Sequence, residues 1–187
     1  MRGCRPVLFW IAALLSLAAS LSLAAAPRVV NEYELKAAYI FKLAKFTQWP
    51  PAKFERDDSP LVIGVVGDEA LDFFTRSLGD KAIDKHKILV QRLDQTNDLA
   101  ACHVLFLSRS VAQHGAQWAE AASNSAVLTV GETGQFLDQG GMIDFVVESG
   151  QLHLEINDQR ARRVGLNISG SALATLVNMG TAKIRNF

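Results

Sequence analysis

Three short runs without a charge constrain this chain more than anything else in it: LVIGVV at Leu61 to Val66, VLFL at Val104 to Leu107 and AVLTV at Ala126 to Val130. Each is too short for a stable helix, and each is apolar at successive positions rather than alternate ones. Successive side chains of a strand point to opposite faces of its sheet, so such strands must be buried on both sides. A further strand is expected over Ile88 to Leu93. Helices are expected between them. Asn31 can cap one running to about Thr47, stopped by Trp49-Pro50-Pro51. Glu69 to Leu78 reads as a second, closed by Gly79, and Val111 to Ala122 as a third. Gln135 to Leu137 reads as a short helical turn before Gly140-Gly141. Apolar strands alternating with helices imply a parallel sheet covered on both faces.

The C-terminal third changes character. Met142 to Glu148 and Gln151 to Ile156 are separated by Ser149-Gly150, which predicts a β-hairpin. Asp158 is expected to cap a short helix over Gln159 to Val164, with Gly165 as its stop. Ser169 or Ser171 is expected to cap a last helix through Val177. In the first helix, Tyr33, Ala37, Ile40, Phe41 and Ala44 form a stripe that should pack on the sheet. Leu35, Tyr39, Leu43 and Phe46 fall opposite, among Lys36, Lys42 and Lys45. That second stripe is either sandwiched inside the fold or offered to a partner, and the first of these is favoured because buried aromatics are more often core.

The first 26 residues carry a separate instruction. Arg2 and Arg5 precede an uncharged run from Val7 to Leu23, closed by Ser22, Ala24, Ala25 and Ala26. This is the pattern of a cleavable secretory signal peptide, with an uncleaved anchor as the weaker alternative. Residues 27–187 then form one domain of about 160 residues, enough for a proper core. They keep 17 Lys+Arg against 19 Asp+Glu, which argues against a nucleic-acid partner. Cys4 falls in the leader, so Cys102 is the one thiol left and cannot close an intrachain disulfide. Heading an apolar strand, it reads as buried and inert.

Catalytic patterns are missing. The sequence has no G-x-G-x-x-G, no P-loop, no H-E-x-x-H and no G-x-S-x-G. His86, His103, His114 and His153 have no companions at zinc spacing, so neither a metal nor a cofactor is expected. Ser108 and Ser110 follow a strand, where capping is favoured over ligand contact; as nucleophiles they lack an oriented base. Asp68, after Gly67, and Glu132, after Gly131, stand at strand ends. With Ser108 they would line the crevice of an open α/β sheet, the alternative being ordinary turns. A small-ligand receptor using Asp68, Ser108 and Glu132 is therefore one functional expectation.

The other comes from a resemblance. Glu32 to Pro50 (EYELKAAYIFKLAKFTQWP), Pro60 to Asp68 (PLVIGVVGD) and Cys102 to Ser108 (CHVLFLS) resemble, in order, segments of the YfiR/HmsC-like family. So do Val127 to Phe136, Gly140 to Asn157 (GGMIDFVVESGQLHLEIN) and Ala161 to Ser169 (ARRVGLNIS). The resemblance implies a non-enzymatic regulator in the periplasm. Its implied partners are the periplasmic domain of a membrane diguanylate cyclase, which it represses, and an OmpA-like outer-membrane lipoprotein that sequesters it. Cyclic-di-GMP and biofilm formation would follow; a homodimer stays open. Members with two disulfide bridges are matched here only at Cys102, and Phe145-Val146 stands where one would carry a cysteine. On this reading Phe145 is an apolar anchor, and Glu148, His153, Glu155, Asn157, Arg160 and Arg163 form a polar rim. Tyr39 and Phe46 are the next partner-binding candidates. The expected fold is a single Rossmann-like α/β domain: a mostly parallel central sheet flanked by helices, with an added antiparallel C-terminal hairpin.

Overall fold

Leu61–Val66, Val104–Leu107 and Gln151–Ile156 are strands with the boundaries expected of them. The computed structural model describes residues 31–186; the expected signal peptide lies outside them. The elements run α1 (Glu32–Lys45), β1 (Thr47–Gln48), β2 (Leu61–Val66), α2 (Leu71–Leu78), β3 (Ala82–Ile83), β4 (His86–Arg92) and β5 (Val104–Leu107). They continue as α3 (Gly115–Ala122), β6 (Leu128–Gly131), β7 (Ile143–Glu148), β8 (Gln151–Ile156), α4 (Asp158–Arg163), β9 (Asn167–Ile168), α5 (Gly170–Asn178) and β10 (Ala182–Ile184).

The main sheet has the order β10-β8-β7-β6-β5-β2-β4-β3. Strands β4, β2, β5, β6 and β7 are parallel. The chain then doubles back, so β8 lies antiparallel to β7 and β10 parallel to β8. The hairpin loop is Ser149-Gly150, both at positive φ (51° and 77°) as a tight two-residue turn requires. The fold is therefore the mixed α/β domain expected, with three additions. β3 and β10 extend the two sheet edges, and β1 pairs with β9 in a separate ribbon. All these strands have three residues or fewer, too short to show a period.

Alternation along the strands splits the interior into two cores. Ile63, Val65, Phe106 and Val130 face α1, α2, α4 and α5. Val62, Val66, Leu105 and Leu107 face α3 through Trp118, Ala119 and Ala122. β8 and β10 contribute nothing to that second core. Their outward positions carry His153, Glu155 and Lys183 instead. Phe136, fully buried, fills a slot in the second core between two glycines. A Cβ at Gly131 would lie 2.5 Å from its ring, and one at Gly141 would lie 2.2 Å from it.

Several local expectations are corrected. Gly79 ends α2 in a right-handed conformation (φ −59°), so no left-handed turn closes that helix. The segment from Val111 begins as a 3₁₀ turn over Arg109–His114, kinked at Val111, and becomes α-helical only at Gly115. The segment from Gln135 is a single hydrogen-bonded turn and not a helix, Gln139 N donating to Gln135 O at 3.2 Å; the loop is held by Asp144, which accepts from Thr133 N (3.0 Å) and Phe136 N (2.8 Å). The cap of α4 is Asn157, whose Oδ1 accepts from Arg160 N at 3.1 Å, and Asp158 is the first helical residue. Ser169 precedes α5 without a side-chain cap; its hydroxyl lies 2.9 Å from that of Ser171.

Candidate functional site

The parallel strands reverse their spatial order between β2 and β5, because β4 lies on the far side of β2. Ligands of open α/β sheets bind outside the strand ends at such a point. Gly67 follows β2 at φ +95°, and a Cβ there would meet that of Ser108 at 2.7 Å, so the two loops touch at their base. Above them lies an open crevice of about 840 Å³, lined by Asp68, Glu69, Arg92, Asp94, Ser110 and His114. The Arg92 guanidinium pairs with Asp68 and, at 2.7 Å, with Asp94. Ser110 Oγ donates to Glu69 at 2.8 Å, and this bond holds the Glu69 carboxyl below the usual carboxylate range. Of the three residues expected to share this crevice, only Asp68 lines it. Ser108 is completely buried. Glu132 faces elsewhere.

Glu132 belongs to a buried charge cluster that the sequence did not reveal. Lys36 of α1, 1% exposed, donates from Nζ to Glu132 and to Glu32, one helical turn before it. Glu132 also accepts from Tyr33 Oη (3.1 Å) and Arg109 N (2.8 Å). Arg109 Nη2 reaches back to Glu32 at 2.8 Å. The ammonium lies 4.9 Å from the Tyr33 ring centroid and 5.9 Å from that of Phe145. Burial, then the Glu132 charge, pushes the Tyr33 hydroxyl well above its ordinary value. With its oxygens taken by donors, Glu132 is a structural anion rather than a free base. It pins α1 to the ends of β5 and β6. A side opening of about 420 Å³ touches the cluster through Lys36, Arg109, Glu132 and Val147. The helical wheel had set Lys36 among the residues opposite the sheet-packing stripe, without a partner. The one local signal was the spacing of Glu32 and Lys36.

The hairpin candidates separate into two groups. Phe145 is 2% exposed and packs on Tyr39 (6.1 Å between centroids), so it is core and not a presented anchor. Asn157 is buried as the α4 cap. The others lie on or near the sheet face that α3 leaves open. Glu148 pairs with Lys183 at 2.8 Å, and Glu155 pairs with Arg185 at 2.5 Å. His153 Nδ1 lies 3.0 Å from Gly180 O. Arg160 donates to the carbonyls of Leu137 and Gly141, tying α4 to the Phe136 loop. Arg163 is exposed. On α1 the second stripe is divided: Leu43 is buried, Tyr39 half-buried, and Leu35 and Phe46 exposed.

Cys102 is fully buried, and burial raises its thiol pKa, which removes the reactive thiolate. Beside it His103 is also buried; its Nδ1 accepts from Val62 N at 3.1 Å, and desolvation pushes its pKa down to about 4. Among the described residues no group of three or more His, Cys, Asp or Glu is placed to hold a metal ion.

A model of the YfiR/HmsC-like family matches residues 33–175, from the first turn of α1 into α5. No curated protein matches the chain.

Proposed function

Because the chain belongs to the YfiR/HmsC-like family, whose members are periplasmic, we propose that it is a non-enzymatic repressor of an inner-membrane diguanylate cyclase. It acts by binding that enzyme's periplasmic sensor domain, and an OmpA-like outer-membrane lipoprotein relieves the repression by sequestering it. The family match carries this reading. The polar, solvent-facing pairs of the β7–β8–β10 face suit it, since rim charges steer encounter and set specificity. Its N-terminal 26 residues are the export signal. Deleting the gene and measuring cyclic-di-GMP tests the proposal: the level rises if the chain represses a cyclase. An unchanged level, with the neighbouring cyclase expressed, overturns it.

A second reading rests on the crevice at the β2–β5 switch point, which Asp68 and Arg92 line. There the protein is a receptor for a small molecule, and the ligand modulates its regulatory contacts. A ligand that binds only the folded chain raises its apparent stability. Thermal melts against a panel of periplasmic metabolites are expected to show a shift that Arg92→Ala abolishes. A panel without a single shift removes this reading.

A further inference from the structure

Helices α1 and α5 leave a trough between them that no third helix among the described residues fills. On α1, Tyr39, Leu43 and Phe46 follow one another at i, i+4 and i+7; on α5 and its cap, Ala172, Leu176 and Met179 do the same. Together they enclose about 310 Å³ above Ile168 and Leu173. Two large side chains on this trough stand in water: Phe46 is 45% exposed and Met179 71%. Apolar surface gathered in one place marks an interaction site, whereas scattered apolar residues do not.

The lip of the trough is basic. Lys42 lines it and Lys45 follows in the last turn of α1. The Lys42 ammonium lies 6.0 Å from the Tyr39 ring, and among the described residues neither lysine meets a carboxylate. Helix α5 carries no charged residue. We propose that this trough is the docking site for the repressor's protein partner. It takes an amphipathic helix whose apolar stripe is flanked by acidic residues. The proposal rests on the protein-binding reading given above. Two rows at helical spacing with a gap between them fit a helix laid in a groove. The unpaired lysines call for carboxylates. A second copy of this chain docked trough to trough fits less well, because, among the described residues, Lys42 is the one charged residue lining the trough and no carboxylate there would meet it.

Two synthetic helical peptides with the same leucine stripe test this, one flanked by glutamates and the other by lysines, each titrated onto the exported chain by calorimetry. The glutamate peptide is expected to bind at least roughly tenfold tighter. That preference is expected to vanish in Lys42→Glu/Lys45→Glu, and binding is expected to weaken in Met179→Asp, whose exposed position leaves the fold intact. Equal binding of the two peptides, or binding of neither, overturns the proposal. So does partition onto phosphatidylglycerol vesicles with both peptides ignored, or a dimer that Met179→Asp splits. In cells, loss of cyclase repression in both variants supports the site. Repression that survives in both overturns the trough and leaves the repressor reading standing. A parent chain that never represses overturns that reading, while the peptide titration still judges the trough.

Discussion

Lys36 lies 1% exposed between Glu32 and Glu132, whereas Lys183 meets Glu148 on the open side of the sheet, where both side chains are about half in water. The chemistry is the same in both places, but the surroundings assign different work. Removing a partner from the first strands a charge where water cannot reach it. Removing one from the second lets water take its place. The buried cluster is committed to holding α1, and the exposed pair is free to exchange its partner for a charge on another protein.

The largest expected effect breaks the buried cluster. Glu132→Ala should cost about 3–5 kcal/mol, the usual result of leaving one member of a buried pair alone. Urea denaturation measures it. Lys36→Met combined with Glu132→Leu should recover most of the loss, because the remaining desolvation penalty disappears with the charges. A single-variant cost near zero would mean that the cluster does not clamp the helix.

A medium effect is a pH dependence, set by two buried groups, Asp144 and His103. Burial raises the Asp144 carboxyl from its ordinary 3.8 to about 6. The folded state therefore favours its proton, and this stabilisation is present below pH 3.8 and lost as pH rises through 6. Burial lowers His103 from 6.5 to about 4. Its contribution is present above pH 6.5 and lost as pH falls through 4. On acidification the two oppose each other. Asp144→Asn should therefore lose stability more steeply than the parent between pH 6 and 4, and His103→Gln less steeply, as followed by the urea midpoint. Parallel curves for all three proteins would contradict both assignments.

The smallest effect on folding comes from the exposed face. Lys183→Ala should change stability by less than about 1 kcal/mol, as exposed pairs do. Its partner affinity should fall nonetheless, and most at low salt, where long-range attraction is least screened. Surface plasmon resonance against the periplasmic domain of the cyclase proposed as its partner would show this. A large loss of stability with unchanged affinity would erase the distinction between the two regions.

The parallel core was legible because β2 and β5 are apolar at every position, a pattern that one fold class explains. The β7–β8 hairpin was legible from Ser149-Gly150. The Lys36 cluster was not, since periodicity places a residue on a helix face but does not say which distant element covers that face. Tyr33 was rightly placed against the sheet, and Lys36, close beside it, was set with the opposite stripe and given no partner. Phe145 looked like an anchor because an aromatic in an added hairpin invites that role. Its burial depends on Tyr39, more than a hundred residues earlier in the chain. Asp68 was placed correctly because a Gly-Asp turn after a buried strand is a local signal. Glu132 has the same local signal, and only the three-dimensional path of α1 sets it apart.

The bond between Lys36 and Glu132 spans 96 residues of sequence. A ribosome delivers Glu32 and the lysine first, and the buried carboxylate arrives only with the end of β6. Until then the lysine has only the partly exposed Glu32 beside it, and an α1 that closed early would carry inward a charge whose buried counterpart is missing. The first helix of the domain is thus kept waiting for the fourth parallel strand of the chain. Assembly is ordered by when an electrical counterpart emerges, which favours late closure of the domain over early collapse of its N-terminal half.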